Sequence, residues 1–150
     1  MSDNWIQFVP DDPLAQPTRE EADRAVTLLR SFLPEASDVS TKFEDRIMFF
    51  DPGSNWSGVR CPRCGAEIED WWVSAATRAY EASALRDLTA TTPCCGYTTS
   101  LNDMNFVWNG AFGSFVLKAK NPNIRDTTPE QDAALSECLG MTLRKVLVHR

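Results

Sequence analysis

VRCPRCGAE (residues 59–67) and TTPCCGYTT (residues 91–99) decide how this chain is read. Aligned at their glycines, CPRCG (61–65) and TPCCG (92–96) share Pro, Cys and Gly at matching places. Cys61 in the first stands opposite Thr92 in the second, and Arg63 stands opposite Cys94. Each stretch thus brings two cysteines, at different spacings. Two thiolates two residues apart can reach one ion because the turn folds back on itself. A glycine after the second Cys allows the positive φ that such a turn often needs. CxxC also occurs in redox sites, which usually precede a helix in a βαβ setting. Here an acidic piece, Glu67-Ile68-Glu69-Asp70, follows and reads as extended, which favours metal over redox chemistry.

Adjacent Cα atoms lie about 3.8 Å apart, below the roughly 4.4–6.8 Å of a relaxed disulfide. A Cys94–Cys95 disulfide would be a strained ring. Two sulfurs on a tetrahedral zinc, each about 2.3 Å from it, sit a little under about 4 Å apart, and neighbouring residues in a turn can meet that. The expected ligands of a structural Zn2+ are therefore Cys61, Cys64, Cys94 and Cys95. A three-cysteine set completed by Asp103, His149 or water is the alternative. Over residues 59–100 the chain resembles a zinc ribbon, fully in its first knuckle and with Thr92 in place of a cysteine in its second. Four thiolates leave no open position for water or substrate, so the expected role is to staple the two turns together. Cys138, beside Leu135 and Leu139, reads as core packing, and His149, the only histidine, as a strand residue.

At 150 residues, 43% hydrophobic and 10% aromatic, the chain is read as one domain over residues 1–150. Its longest apolar run, Ile47 to Phe50, is far short of a membrane span. The start, MSDNWIQFVPDD, lacks the pattern of a signal peptide, so the expected compartment is the cytoplasm. The charge of −6 is uneven: residues 1–75 hold 14 Asp/Glu against 7 Lys/Arg, and residues 76–150 hold 7 against 8. This acidic bias disfavours nucleic acid and suits a basic protein partner.

The elements read as α+β, an antiparallel or mixed sheet with about three helices and the zinc-ribbon-like segment embedded in it. Trp5–Val9 and residues 43–50 read as strands. Thr18 and Glu21 form a capping box for a helix whose apolar face is Ala22, Ala25, Val26, Leu29 and Phe32. A second helix is expected near residues 70–84. AFGSFVLKAK (111–120) reads as helical from the spacing of Phe112, Phe115, Val116 and Ala119. Thr128, Pro129 and Gln131 start another helix that Gly140 stops, and MTLRKVLVHR closes the chain as a strand. Trp5 and Trp108 are expected in the core of the sheet.

A single histidine near the end removes most nucleophile–base arrangements, and no phosphate-binding glycine loop is present. Asn102 and Asp103, beside Phe106 and Trp108, are the one polar cluster that could serve an enzyme. A turn with side-chain-to-backbone bonds is the simpler account of them. As a whole, the CPRCG turn, the tryptophan-containing middle, Pro93-Cys94-Cys95-Gly96 and the Leu101-Asn102-Asp103 segment with Phe106 and Trp108 resemble a group of small bacterial zinc-binding proteins. That resemblance implies no activity. Small acidic bacterial proteins of this kind are associated with neutralising a toxin, so the expectation is a non-enzymatic, zinc-stabilised protein-binding protein of the immunity type. Its partner would present a basic surface to Glu67, Glu69 and Asp70, anchored on Trp71 or Trp72. The alternatives are an adaptor touching nucleic acid through Arg144, Lys145 and Arg150, and an enzyme using Asn102–Asp103.

Overall fold

The structure is a computed structural model, and it describes residues 2–150. Along the chain run β1 (Asn4–Pro10), α1 (Arg19–Phe32), β2 (Asp38–Phe50), β3 (Val59–Arg60), α2 (Glu69–Ser83), β4 (Thr89–Thr91), β5 (Thr98–Ser100), β6 (Asn105–Phe106), β7 (Ala111–Lys120), α3 (Pro129–Leu139) and β8 (Leu143–His149). The class is α+β. A four-stranded sheet has the order β2-β7-β1-β8, and its neighbouring strands pair antiparallel.

Both capping boxes form. The Thr18 side chain accepts the Glu21 N–H while the Glu21 side chain accepts the Thr18 N–H, and Thr128 and Gln131 repeat the exchange at α3. These reciprocal bonds satisfy donors that a helix start leaves orphaned. Gly140 ends α3 in the left-handed conformation. Ala22, Ala25 and Leu29 of α1 and Leu135 and Leu139 of α3 are buried against Ile6, Phe8, Phe115, Leu117 and Ala119 of the sheet. On the sheet's opposite face Val9, Val116, Val146 and Val148 form a smaller cluster, against which Trp5 is half-buried.

Residues 111–120 are the central strand β7, not a helix. Strand β7 lies between β2 and β1, and its first seven residues are all buried. A strand covered on both faces needs apolar residues at consecutive positions, so the alternation that marks a half-exposed strand is lost. The same run then matches helical spacing by accident. Trp108 is a second correction: it precedes β7 and is 41% exposed, outside the sheet's core.

The cysteine region is an insertion between two paired strands. Phe50, at the end of β2, lies opposite Ala111, at the start of β7. The chain between them builds α2 and two small ladders, β3–β6 and β4–β5. Its core is aromatic: among Phe49, Trp56, Trp72, Phe106 and Phe112, eight ring pairs have centroids 4.8–6.2 Å apart. Pairs with such tilted and edge-on geometry add about 0.5–1.5 kcal/mol beyond burial alone. Among the described residues no helix is long and apolar enough to cross a membrane.

Strand β8 ends the sheet, and side-chain and backbone donors cover its outer carbonyls. The Asn109 and Asn55 amides donate to Lys145 and Leu147, and the Ser54 N–H donates to His149. Such capping leaves less backbone for another strand to pair with.

Candidate metal centre

The first knuckle is a turn closed by its own backbone. The Cys61 N–H donates to the Ala66 carbonyl at 2.8 Å, and the Gly65 N–H donates to the Cys61 carbonyl at 3.0 Å. Gly65 sits at φ +76°, a left-handed position where a side chain would be strained. The second knuckle repeats the pattern. The Thr92 N–H donates to the Tyr97 carbonyl at 2.9 Å, the Gly96 N–H donates to the Thr92 carbonyl at 3.1 Å, and Gly96 has φ +68°. Hydrogen bonding thus pairs the two stretches residue for residue, as their sequences do.

Folding brings the two turns face to face. The sulfurs of Cys61, Cys64, Cys94 and Cys95 all lie within 4.8 Å of one another. Cys61 is 3.7 Å from Cys95, and Cys64 is 3.3 Å from Cys94. Tetrahedral coordination at about 2.3 Å requires sulfurs about 3.8 Å apart, so small adjustments would admit an ion. The backbone N–H groups of Cys64 and, after the opposing effect of burial, Arg63 hold the Cys61 thiol down at about 6. Cys64 goes the other way. The Ala66 N–H favours its thiolate, but its contact with Cys94, burial and the Cys61 and Cys95 sulfurs push it up to about 12. Crowded thiols cannot all ionise unless a cation balances them, and a divalent metal supplies that charge. The donor set fits a soft or borderline metal ion.

Neither alternative ligand joins the cluster. The Asp103 carboxylate accepts from Arg144, and His149 Nδ1 lies 2.6 Å from Asn4 Oδ1 at the far end of β8. Cys138 is half-buried against the α1–α3 core.

The proposed partner-binding residues are largely occupied within the fold. Trp72 is 5% exposed, and its Nε1–H donates to the Leu101 carbonyl at 2.9 Å, so it cannot serve as an exposed anchor. Its position on the inner face of α2 packs it among the aromatic rings. Glu69 accepts the Trp56 Nε1–H, and Glu67 accepts the Glu69 N–H at the start of α2. Trp71 is half-buried, lining a groove with Arg78 and Thr91, and Asp70 is exposed.

Asn102 and Asp103 serve the structure. Asn102 is buried, and its Oδ1 accepts the Phe112 N–H at 2.9 Å. Arg144 then bonds the Asn102 carbonyl and the carboxylates of Asp11 and Asp103. Burial lowers the Arg144 pKa, but the hydrogen bonds its guanidinium donates to Asp103 and Asp11 outweigh it, and the net direction is up. Lys145 pairs with Asp126 and Asp132, and Arg150 with Asp51. The three cations that the nucleic-acid alternative would use are therefore matched by carboxylates of their own chain.

One surface went unrecognised in the sequence. A cleft of about 490 Å³ lies at the β8 edge, where Trp108, Ile124, Arg125, Leu147 and His149 are among the lining residues. Trp108 and Ile124 are 41% and 45% exposed. The sequence signal was a tryptophan flanked by Val107, Asn109 and Gly110 with no helical or alternating pattern to bury it. No protein-family model, no curated protein and no solved structure matches this chain.

Proposed function

We propose that this chain is a non-catalytic protein-binding protein whose inserted segment is stapled by one structural zinc ion on Cys61, Cys64, Cys94 and Cys95. The observation that carries the reading is the convergence of four sulfurs within 4.8 Å. Two turns from separate parts of the chain meet there, and zinc is the ion that four cysteine ligands in tetrahedral arrangement most often hold structurally. An all-sulfur set fills every coordination position, which supports a structural role. The commitment of Asn102 and Asp103 to backbone and arginine contacts supports binding over catalysis.

For the binding function, two features give support. Trp108 and Ile124 expose apolar surface at a cleft, and tryptophan and arginine are favoured anchors at protein interfaces. The charge of −6 favours fast encounter with a basic partner. A toxin-neutralising immunity protein is the specific form of this reading, and charge balance is its support.

Mixing the purified chain with the product of the adjacent gene tests it. A complex should form whose association rate falls steeply with added salt and which Trp108→Ala weakens by at least about tenfold, about 1.4 kcal/mol. No complex with that product, or one indifferent to both salt and Trp108→Ala, would remove the proposal.

A further inference from the structure

The two knuckles are one turn used twice, with a ligand relocated in the second. By their matching backbone hydrogen bonds, Thr92 corresponds to Cys61, Cys95 to Cys64 and Gly96 to Gly65. Thr92 is as deeply placed as its counterpart, at 2% exposure against 1% for Cys61. Its Oγ1 accepts the Tyr97 N–H at 3.0 Å and lies 3.6 Å from Cys95 Sγ. The hydroxyl proton is therefore available to the Cys95 sulfur, and Thr92 orients a ligand without being one.

Cys94 corresponds to Arg63. That residue carries its guanidinium across the surface, 5.7 Å from the Tyr97 ring, so the position is an outward one. Cys94 thus reaches the cluster from the solvent side, touching Cys64 at 3.3 Å. The result is a lopsided site. Cys61 is its only buried sulfur residue, while Cys64, Cys94 and Cys95 are exposed. A cysteine at position 92 would have given the site a second inner wall of sulfur.

We propose that this site holds zinc exchangeably, with Cys94 as the ligand that leaves first, so that the staple can be opened from solvent by a thiol or chelating acceptor. The inference rests on the zinc reading above. In the exchange, the bond between Cys94 sulfur and the metal breaks as a donor atom of the acceptor bonds to it. Cys94 takes up the proton that an acceptor thiol gives up, and nothing is oxidised or reduced. Cys61, Cys64 and Cys95 stay in place, the last still oriented by Thr92. Metal supply then controls whether the inserted segment is held shut.

Two measurements on the full chain test this. Zinc-loaded protein is treated with limiting iodoacetamide and the modified cysteines are mapped by mass spectrometry. Among the four ligands Cys94 should be alkylated first, with the unliganded Cys138 scored separately; earlier modification of Cys64 or Cys95, or modification of all four together, overturns the proposal. Zinc release to the chromophoric chelator 4-(2-pyridylazo)resorcinol is then compared between the natural chain and Thr92→Cys/Cys94→Arg. The double variant should hold one zinc and release it at least about tenfold more slowly; equal or faster release overturns the proposal. Should that variant fail to fold, the alkylation order decides alone. Zinc content of the natural chain separates the two claims: no zinc defeats the zinc reading, whereas bound zinc with an indifferent Cys94 defeats this inference only.

Discussion

At the scale of single residues, the buried amide of Asn102 is the joint between the sheet and the inserted segment. Its Oδ1 takes the Phe112 N–H, and its carbonyl takes Arg144, so one residue ties β7, β8 and the loop before β6. Asn102→Ala leaves the Phe112 N–H without its partner and should cost about 1–3 kcal/mol in urea unfolding. Glu21 makes a pH-dependent contribution. Its pKa is lowered from 4.5 by the hydrogen bonds of Thr18, backbone first and side chain second. A lowered carboxylate stabilises the fold above its unfolded pKa and loses that effect as pH falls through the folded value. The stability difference between the natural chain and Glu21→Gln should therefore be full near neutrality and shrink as pH drops below about 4.5. Metal loss in acid affects both proteins alike and cancels in the comparison. Asn102 and Asp103 stood out in the sequence as a polar cluster, but their purpose did not. Their partners Phe112 and Arg144 come from other strands, and neither pairing leaves a local pattern.

At the scale of elements, local chemistry was readable and burial on two faces was not. Thr18–Glu21 and Thr128–Gln131 announced their helices because a capping box is a short-range device. Strand β7 was hidden because its partners on both sides are distant in sequence, and only they turn a continuous apolar run into a central strand. Gly113 marks how tightly that strand is held. A Cβ there would lie 2.5 Å from Val9 Cγ1, in a region with little room to relax. Gly113→Ala should destabilise the fold by about 1–3 kcal/mol through overpacking. Chemical denaturation checks this, and a neutral substitution would contradict the close packing of β1 against β7 at Gly113. The two knuckles were legible for the same reason as the caps, since CPRCG and TPCCG each close on their own backbone. The sequence also placed Thr92 opposite Cys61, but the inward position of Thr92 emerged only with the fold.

At the scale of the whole molecule, one sheet carries two different cores. Strands β2 and β7 continue from the α1–α3 core into the aromatic core of the insertion. The helical core is built from long elements with caps and a regular face. The insertion has ladders of only two or three residues per strand, so a crosslink has more to hold there. Chelation under reducing conditions should accordingly cost several kcal/mol, lowering Tm by about 10 °C or more. An unchanged melt would contradict a structural role for the metal. The charge pattern acts at this scale too, although pairing of Arg144, Lys145 and Arg150 with neighbouring carboxylates could be seen only in three dimensions. The central claim is that these four cysteines together hold one zinc. Zinc K-edge X-ray absorption of the purified chain tests it most directly. Four sulfurs at about 2.3 Å are predicted, and a shell containing nitrogen or oxygen, or no bound zinc, would contradict it.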